Sequence, residues 1–304
     1  MLDNVAKIFL SFSHDIVIIP LLILGYIWLE QKVFFNAICL ILVSMLFNFA
    51  LKITFQVPLS AHIGKQGFAF PSGHMQSSVV LYGWLMTKTQ SRICKILITG
   101  LLFGIGMSLV YCDYHNYFDI LGAIFFGSLL IAFYTFLAST KKQILPPVLL
   151  TFTTFLMLYI ASIHKVEEHL YMAYYALIGV IFSENIFTKK ITIINLRSKI
   201  YSNDLKNWNV KQGVSERSVD ELREYANTPQ FCETNSSKQK SISATILCFF
   251  MLFIVKMLFT VGYISSLPLA IRQMQWAIIG FCIPASVFIA NYINHYKHSF
   301  HDRY

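Results

Sequence analysis

The sequence predicts an all-α, polytopic membrane protein, and three observations carry that prediction. Hydrophobic residues fill 56% of the 304 positions and charged residues only 13%, against roughly 45–50% and about 25% in soluble domains. Mean hydropathy is +0.59. Apolar runs recur along the whole chain, many near the roughly 17–25 residues that cross about 30 Å of hydrocarbon.

Nine runs define the expected spans: 16–29, 33–51, 75–86, 96–110, 118–138, 144–163, 170–187, 244–264 and 276–293. The third and fourth are interrupted by polar residues or glycines. No basic segment precedes the first and no small-residue cleavage site follows it, so it reads as a span rather than a removed signal peptide. Six spans form a block over 1–165, and a seventh covers 166–187. At Thr188 the composition turns polar. The stretch 188–242 reads as an inside loop or small insert with helical pattern around 218–225, and 243–304 holds two further spans and a short tail. The expected architecture is a six-helix core plus about three additional C-terminal transmembrane helices.

The net charge of +9 is spread over the segments between spans, which fits the positive-inside rule and gives no footprint for a nucleic-acid partner. With the N-terminus outside, the short inside segments hold Lys32, Lys88, Arg92, Lys95, Lys141, Lys142, Lys297 and Arg303. The outside segments hold Lys7, Lys52, Lys65, Lys165 and Arg272. The long 189–240 loop adds its basic residues to the inside face. Cys39, Cys94, Cys112, Cys232, Cys248 and Cys282 lack any CxxC spacing and read as thiols packed in helices rather than a zinc or redox site.

Two constellations carry chemistry. In FAFPSGHMQSS, Pro71 suits the first turn of a helix, and Ser72 and Gly73 then offer backbone N–H groups at its positive end. Such an end binds phosphate, a glycine lets the anion approach, and His74 stands beside it to give or take a proton. Met75 and Gln76 are expected at the site entrance. In SLVYCDYHNYFDILGA, His115 and Asp119 are spaced i,i+4, so a helix starting near His115 puts them on one face. A carboxylate on one imidazole nitrogen fixes the tautomer and leaves the other nucleophilic. Lys52, in LKITFQVPL, reaches the same outer face and reads either as a snorkelling lysine or as part of that site. Lys256, inside the eighth run, reads as snorkelling to the outer headgroups.

The order lysine, then Pro-Ser-Gly-His, then His-x3-Asp resembles the type 2 phosphatidic acid phosphatase superfamily, which includes lipid phosphate phosphatases, glucose-6-phosphatase and vanadium haloperoxidases. The family pattern is Lys-x6-Arg-Pro, Pro-Ser-Gly-His and Ser-Arg-x5-His-x3-Asp. The last two match in spacing, from Pro71 to His74 and from Ser108 to Asp119. The resemblance implies that His115 is the nucleophile that becomes phosphohistidine, that Asp119 orients it, and that His74 is the general acid. It implies a phosphate cradle of Lys52, Ser72 and Gly73, and a mechanism with no cofactor and no metal. The sequence departs from the pattern where Leu59 and Ser60 replace Arg-Pro and where Leu109 replaces the second arginine. Asp113 adds a negative charge where relatives carry small residues. With each charge-assisted arginine contact worth about 1.5–3 kcal/mol, both losses together weaken phosphate recognition by about a hundred- to ten-thousandfold. Lys65 is assigned as a partial substitute.

The resulting expectation is a membrane enzyme that hydrolyses a lipid phosphomonoester or pyrophosphate through phosphohistidine. Its partners are the lipid substrate and the bilayer. It is placed in a bacterial inner membrane with the site facing the periplasm. Two alternatives stay open. One is a headgroup phosphotransferase similar to sphingomyelin synthases, which keep the His, His, Asp set without those arginines. The other is a lipid-binding protein in which the triad is a remnant.

Overall fold

A computed structural model describes residues 2–59, 67–140, 145–187, 233–260 and 268–301. These residues are helical apart from short connections and one isolated β-bridge between Pro58 and Phe68. Among the described residues, seven helices are long and apolar enough to cross a membrane, or eight if a bent N-terminal pair counts as one span. The expectation of nine differs at two places, each with a physical reason.

The first is the N-terminus. Helix α1 (Leu2–Ser11) precedes α2 (Asp15–Trp28), and the two meet at 43° across a short break. The run at 16–29 is thus the second half of a broken element. The second is α4 (Gly73–Lys88), whose 16 residues rise only about 24 Å at 1.5 Å per residue. It is less a lipid-facing span than the centre of the bundle: Trp84, Val80, Leu81, Gln76 and Ser78 are all buried.

Helix α3 (Gln31–Phe55) is the other central element. Of its membrane-length window 67% is buried, against 22% for α5 (Arg92–Tyr111), because α3 packs on α2, on α4 and on α7 (Leu145–Ile163). Helix α6 (Tyr117–Thr140) closes the core against α4. Trp84 ties α4 to α3 through its indole N–H on the Val33 carbonyl at 2.9 Å. Helix α8 (Glu168–Phe187) follows α7. Both pack on the site end of α3 through Phe49, Ile53, Ile160, Val166 and Leu170.

The C-terminal helices are α9 (Glu233–Thr260), the short α10 (Leu269–Gln273) and α11 (Gln275–His301). Helix α9 begins about ten residues before the apolar run that announced it, since the polar segment SSKQKS continues the helix. It lies along α11 and touches α2, with the Trp28 indole donating to Thr245 at 2.9 Å. Lys256 lies with its ammonium 5.1 Å from the Trp276 ring, a cation–π placement at a span end rather than a bare snorkel. Between α8 and α11 the backbones nearly touch: a Cβ on Gly179 would overlap the Ala277 carbonyl, and one on Gly280 would overlap Ala176. Small residues at such a crossing are how helices associate where lipid removes the hydrophobic drive. Cys39, Cys94, Cys112, Cys248 and Cys282 are free thiols; Cys232, Lys65, Ser60 and the helical pattern expected at 218–225 lie outside the described residues.

Candidate active site

Four connections converge on one end of the bundle and enclose a cavity of about 840 Å³. The α1–α2 break contributes His14 and Asp15. The end of α3 and the following loop contribute Asn48, Lys52, Leu59 and Phe68, and the start of α4 contributes Gly73, His74 and Ser77. His115 enters from the α5–α6 turn, and His164, Glu167 and His169 from the α7–α8 connection.

The His115 turn is built by its own backbone. The N–H groups of Tyr114 and His115 both donate to the Leu109 carbonyl, at 3.0 and 3.3 Å. Asn116 then caps α6 reciprocally: its side-chain oxygen accepts from the Asp119 N–H at 2.9 Å, while its own N–H donates to Asp119 Oδ2 at 3.1 Å. This is the capping-box logic with Asn and Asp in the two roles. The carboxylate held there also meets His115 Nδ1 at 3.3 Å, which directs Nε2 away from the pair. The helix starts at Tyr117 rather than near His115, so the pair meets across a helix start and not along one helical face. Asn116 is a residue the sequence reading passed over. Its signal was the N-x-x-D spacing before an apolar run. Asp113 is exposed and takes a φ of 59°, a left-handed turn that short polar residues tolerate.

The α4 start is built differently from expectation. Ser72 is the N-cap and its hydroxyl accepts from the Met75 N–H at 3.5 Å. Pro71 therefore precedes the cap instead of occupying the first helical position. The Ser72 N–H donates to the Asp119 carbonyl at 3.2 Å, so it is committed to joining the two motifs. The first-turn N–H groups of Gly73 and His74 have no intrahelical acceptor by position. Gly73 lines the cavity, and a Cβ there would stand 3.3 Å from Asn48 Oδ1. Asn48 donates to Gln76 Oε1 at 2.9 Å and to the Pro71 carbonyl at 3.3 Å, and Gln76 donates to Ser44 at 3.3 Å. Met75 and Gln76, expected at the entrance, are 2% and 0% exposed; Gln76 faces helix neighbours, Met75 lines an apolar groove between α4, α5 and α6, and His74 faces the cavity.

Lys52 is turned inward, its ammonium donating to the Phe68 carbonyl at 2.9 Å. The bridge at Pro58 and Phe68, with Leu59 N–H on the Gly67 carbonyl at 3.0 Å, holds that carbonyl in place. The two positions of the absent arginines part company. Leu59 lines the cavity, whereas the Leu109 side chain is 1% exposed in the apolar core. Burial pushes the His115 imidazole below its ordinary range, against the pull of the Asp119 carboxylate. His74 is pushed down as well, by burial first and then by His14, with His115 and Lys52 adding and Asp15 opposing. Both imidazoles are therefore biased towards the neutral form near pH 7.

The wall formed by His164, Glu167 and His169 was not anticipated. Glu167 Oε2 lies 3.2 Å from His169 Nδ1, and the Phe49 ring stands 6.0 and 5.9 Å from the rings of His164 and His169. Among the described residues, no group of three or more His, Cys, Asp and Glu side chains is arranged to hold a metal ion.

Residues 32–144 match the PAP2 superfamily, a segment that contains Lys52, Ser72, Gly73, His74, His115 and Asp119. The tRNA dimethylallyltransferases of Rickettsia massiliae (strain Mtu5) and Rickettsia rickettsii (strain Sheila Smith) are each 52% identical to the chain over 52 residues. That stretch is 17% of this chain, and the chain spans only 13% of either transferase. No solved structure matches.

Proposed function

From the premise that residues 32–144 belong to the PAP2 superfamily, whose membership implies phosphatase-type chemistry on phosphate esters, we propose that the protein hydrolyses the phosphate of a membrane lipid through a phosphohistidine. The observation that carries this reading is the His115–Asp119 pair at 3.3 Å, opening onto the same cavity as His74 and Lys52. His115 Nε2 attacks phosphorus, with Asp119 holding the tautomer and the imidazolium that develops. His74 protonates the leaving oxygen and then accepts the proton of the water that cleaves the phosphorus–nitrogen bond. Lys52 and the first-turn N–H groups of α4 counter the phosphate charge. Ser72 contributes through its cap, by fixing where those N–H groups point. Lys65 is proposed as a further cation at the phosphate. No metal enters this scheme.

Lipid as the substrate is supported by the surroundings of the site. An apolar groove of about 620 Å³ runs along α4, α5 and α6, from Val110 and Tyr117 at the catalytic end to Met86 and Thr99 at the other. An acyl or isoprenyl chain fits its chemistry. The catalytic end carries Lys52, while Lys32, Lys88, Arg92 and Lys95 cluster at the opposite ends of α3, α4 and α5. Under the positive-inside rule this distribution supports our reading of the cavity as facing outward, to the periplasm if the membrane is a bacterial inner one. One feature favours a second reading. Leu59 presents an apolar surface where the family pattern has arginine, which suits a phosphodiester of lower charge and hence headgroup transfer.

The test is phosphate or headgroup release by purified protein in detergent with a chelator present, across lipid phosphomonoesters, pyrophosphates and phosphodiesters. His115→Ala is expected to lower turnover by at least about a thousandfold while thermal unfolding stays near wild type. Near-normal turnover in that variant overturns the mechanism.

A further inference from the structure

Residues 2–28 precede the segment matched to the PAP2 superfamily, yet the fold carries their turn into the catalytic cavity. Helix α1 lies along α5, with the Phe9 ring packed on Gly104 and the Tyr111 hydroxyl donating to Asp3 at 3.0 Å. At the break, Ser13 is buried with its hydroxyl on the Leu10 carbonyl at 2.7 Å. Tyr82 of α4 donates to the Phe12 carbonyl at 2.8 Å. The break is thereby fastened to the helix that carries His74, about two turns away. The consequence is a ring contact: His14 stands edge-on to His74, centroids 5.2 Å apart at 77°.

We propose that His14 is a positioning residue for the His74 imidazole, holding its plane through both proton transfers. The proposal rests on the reading of His74 as the proton-transferring group. In the first step the His115 nitrogen lone pair forms a bond to phosphorus, the bond to the leaving oxygen breaks, and the His74 proton passes to that oxygen. In the second, a water oxygen bonds to phosphorus, its proton returns to His74, and the phosphorus–nitrogen electrons return to His115. One His74 nitrogen must face the reacting oxygen both times, and reacting groups need orientations held within about 10–20°. His74 sits in the first, least constrained turn of α4. The groups facing it are His14 and Asp15 from the break, Lys52 from α3 and His115 from the α5–α6 turn. Of these, His14 makes the ring contact, and edge-to-face rings favour one mutual orientation.

The experiment compares full-length wild type, His14→Ala and His14→Phe in detergent, by kinetics on a hydrolysed lipid phosphate and by NMR of labelled histidines, with His74→Gln assigning the His74 signals. His14→Ala is expected to lose about ten- to hundredfold in kcat with KM within about twofold, and His14→Phe, which keeps the ring edge, to recover to within about threefold. The His74 titration should move to higher pH in both variants, since both remove the neighbouring imidazole. Full kcat in His14→Ala overturns the proposal, as does an equal loss in both variants with unchanged His74 signals. If the wild type releases phosphate from no lipid, the functional reading fails separately. The spectra then decide, and a His74 signal unmoved by His14→Ala overturns the contact.

Discussion

Leu59 and Leu109 stand at the two positions where the family pattern has arginine, and the fold treats them oppositely. Leu59 faces the cavity, so Leu59→Arg is expected to raise kcat/KM on a lipid phosphomonoester by about ten- to hundredfold, the worth of one charge-assisted contact. Leu109 is packed in the core. Leu109→Arg buries an unpaired charge and is expected to cost several kcal/mol, read as loss of folded protein in detergent. Equal, mild effects from both would contradict the different surroundings described above. The titrating pair makes a second residue-scale prediction. In the proposed mechanism His115 must be neutral to attack and His74 protonated to donate, and both imidazoles are pushed below the ordinary value. The pH profile of kcat/KM is therefore expected to be a bell centred on the acid side of about 6.5. A maximum well above pH 7 would show that these groups are assigned the wrong roles.

Among the elements, the start of α6 links sequence to the candidate site most directly. Asn116 and Asp119 cap the helix through one another, so the carboxylate that meets His115 Nδ1, and that the proposed mechanism uses to orient it, is held by the helix start itself. Asn116→Ala is expected to cost about 1 kcal/mol of stability and to lower kcat about tenfold by freeing that carboxylate. A stability loss with kcat intact would confine Asn116 to capping. The two motifs were legible in the sequence because their spacing is local: His115 and Asp119 lie within one turn, and Ser72 to His74 span one helix start. What joins them was not. The hydrogen bond from the Ser72 N–H to the Asp119 carbonyl connects residues 47 positions apart in numbering, and no periodicity reports it. The same holds for Gln76, expected at the entrance from its place after the Pro-Ser-Gly-His run, which its Asn48 and Ser44 contacts set between helices.

Across the whole molecule, close backbone packing joins α8 to α11, and side-chain contacts such as Tyr26 to Glu184 at 3.3 Å and Trp28 to Thr245 at 2.9 Å join the C-terminal long helices to the rest. The crossing of α8 and α11 depends on Gly179 and Gly280. Gly179→Leu is expected to separate α8 from α11 and lower thermal stability by several degrees, on the order of 2 kcal/mol or more. Since α8 also carries His169 into the cavity wall, the variant should raise KM before it changes kcat; an unchanged melting point would show that the crossing carries little stability. Composition and run length determined the all-α membrane class, and local spacing located the two candidate motifs, because both are written in neighbouring residues. Only the tertiary structure decided that α4 is a short buried helix, that Leu59 faces the cavity while Leu109 does not, and that His14, Glu167 and His169 reach the site. Those outcomes depend on which helix faces meet across long separations, which packing sets and local periodicity does not encode.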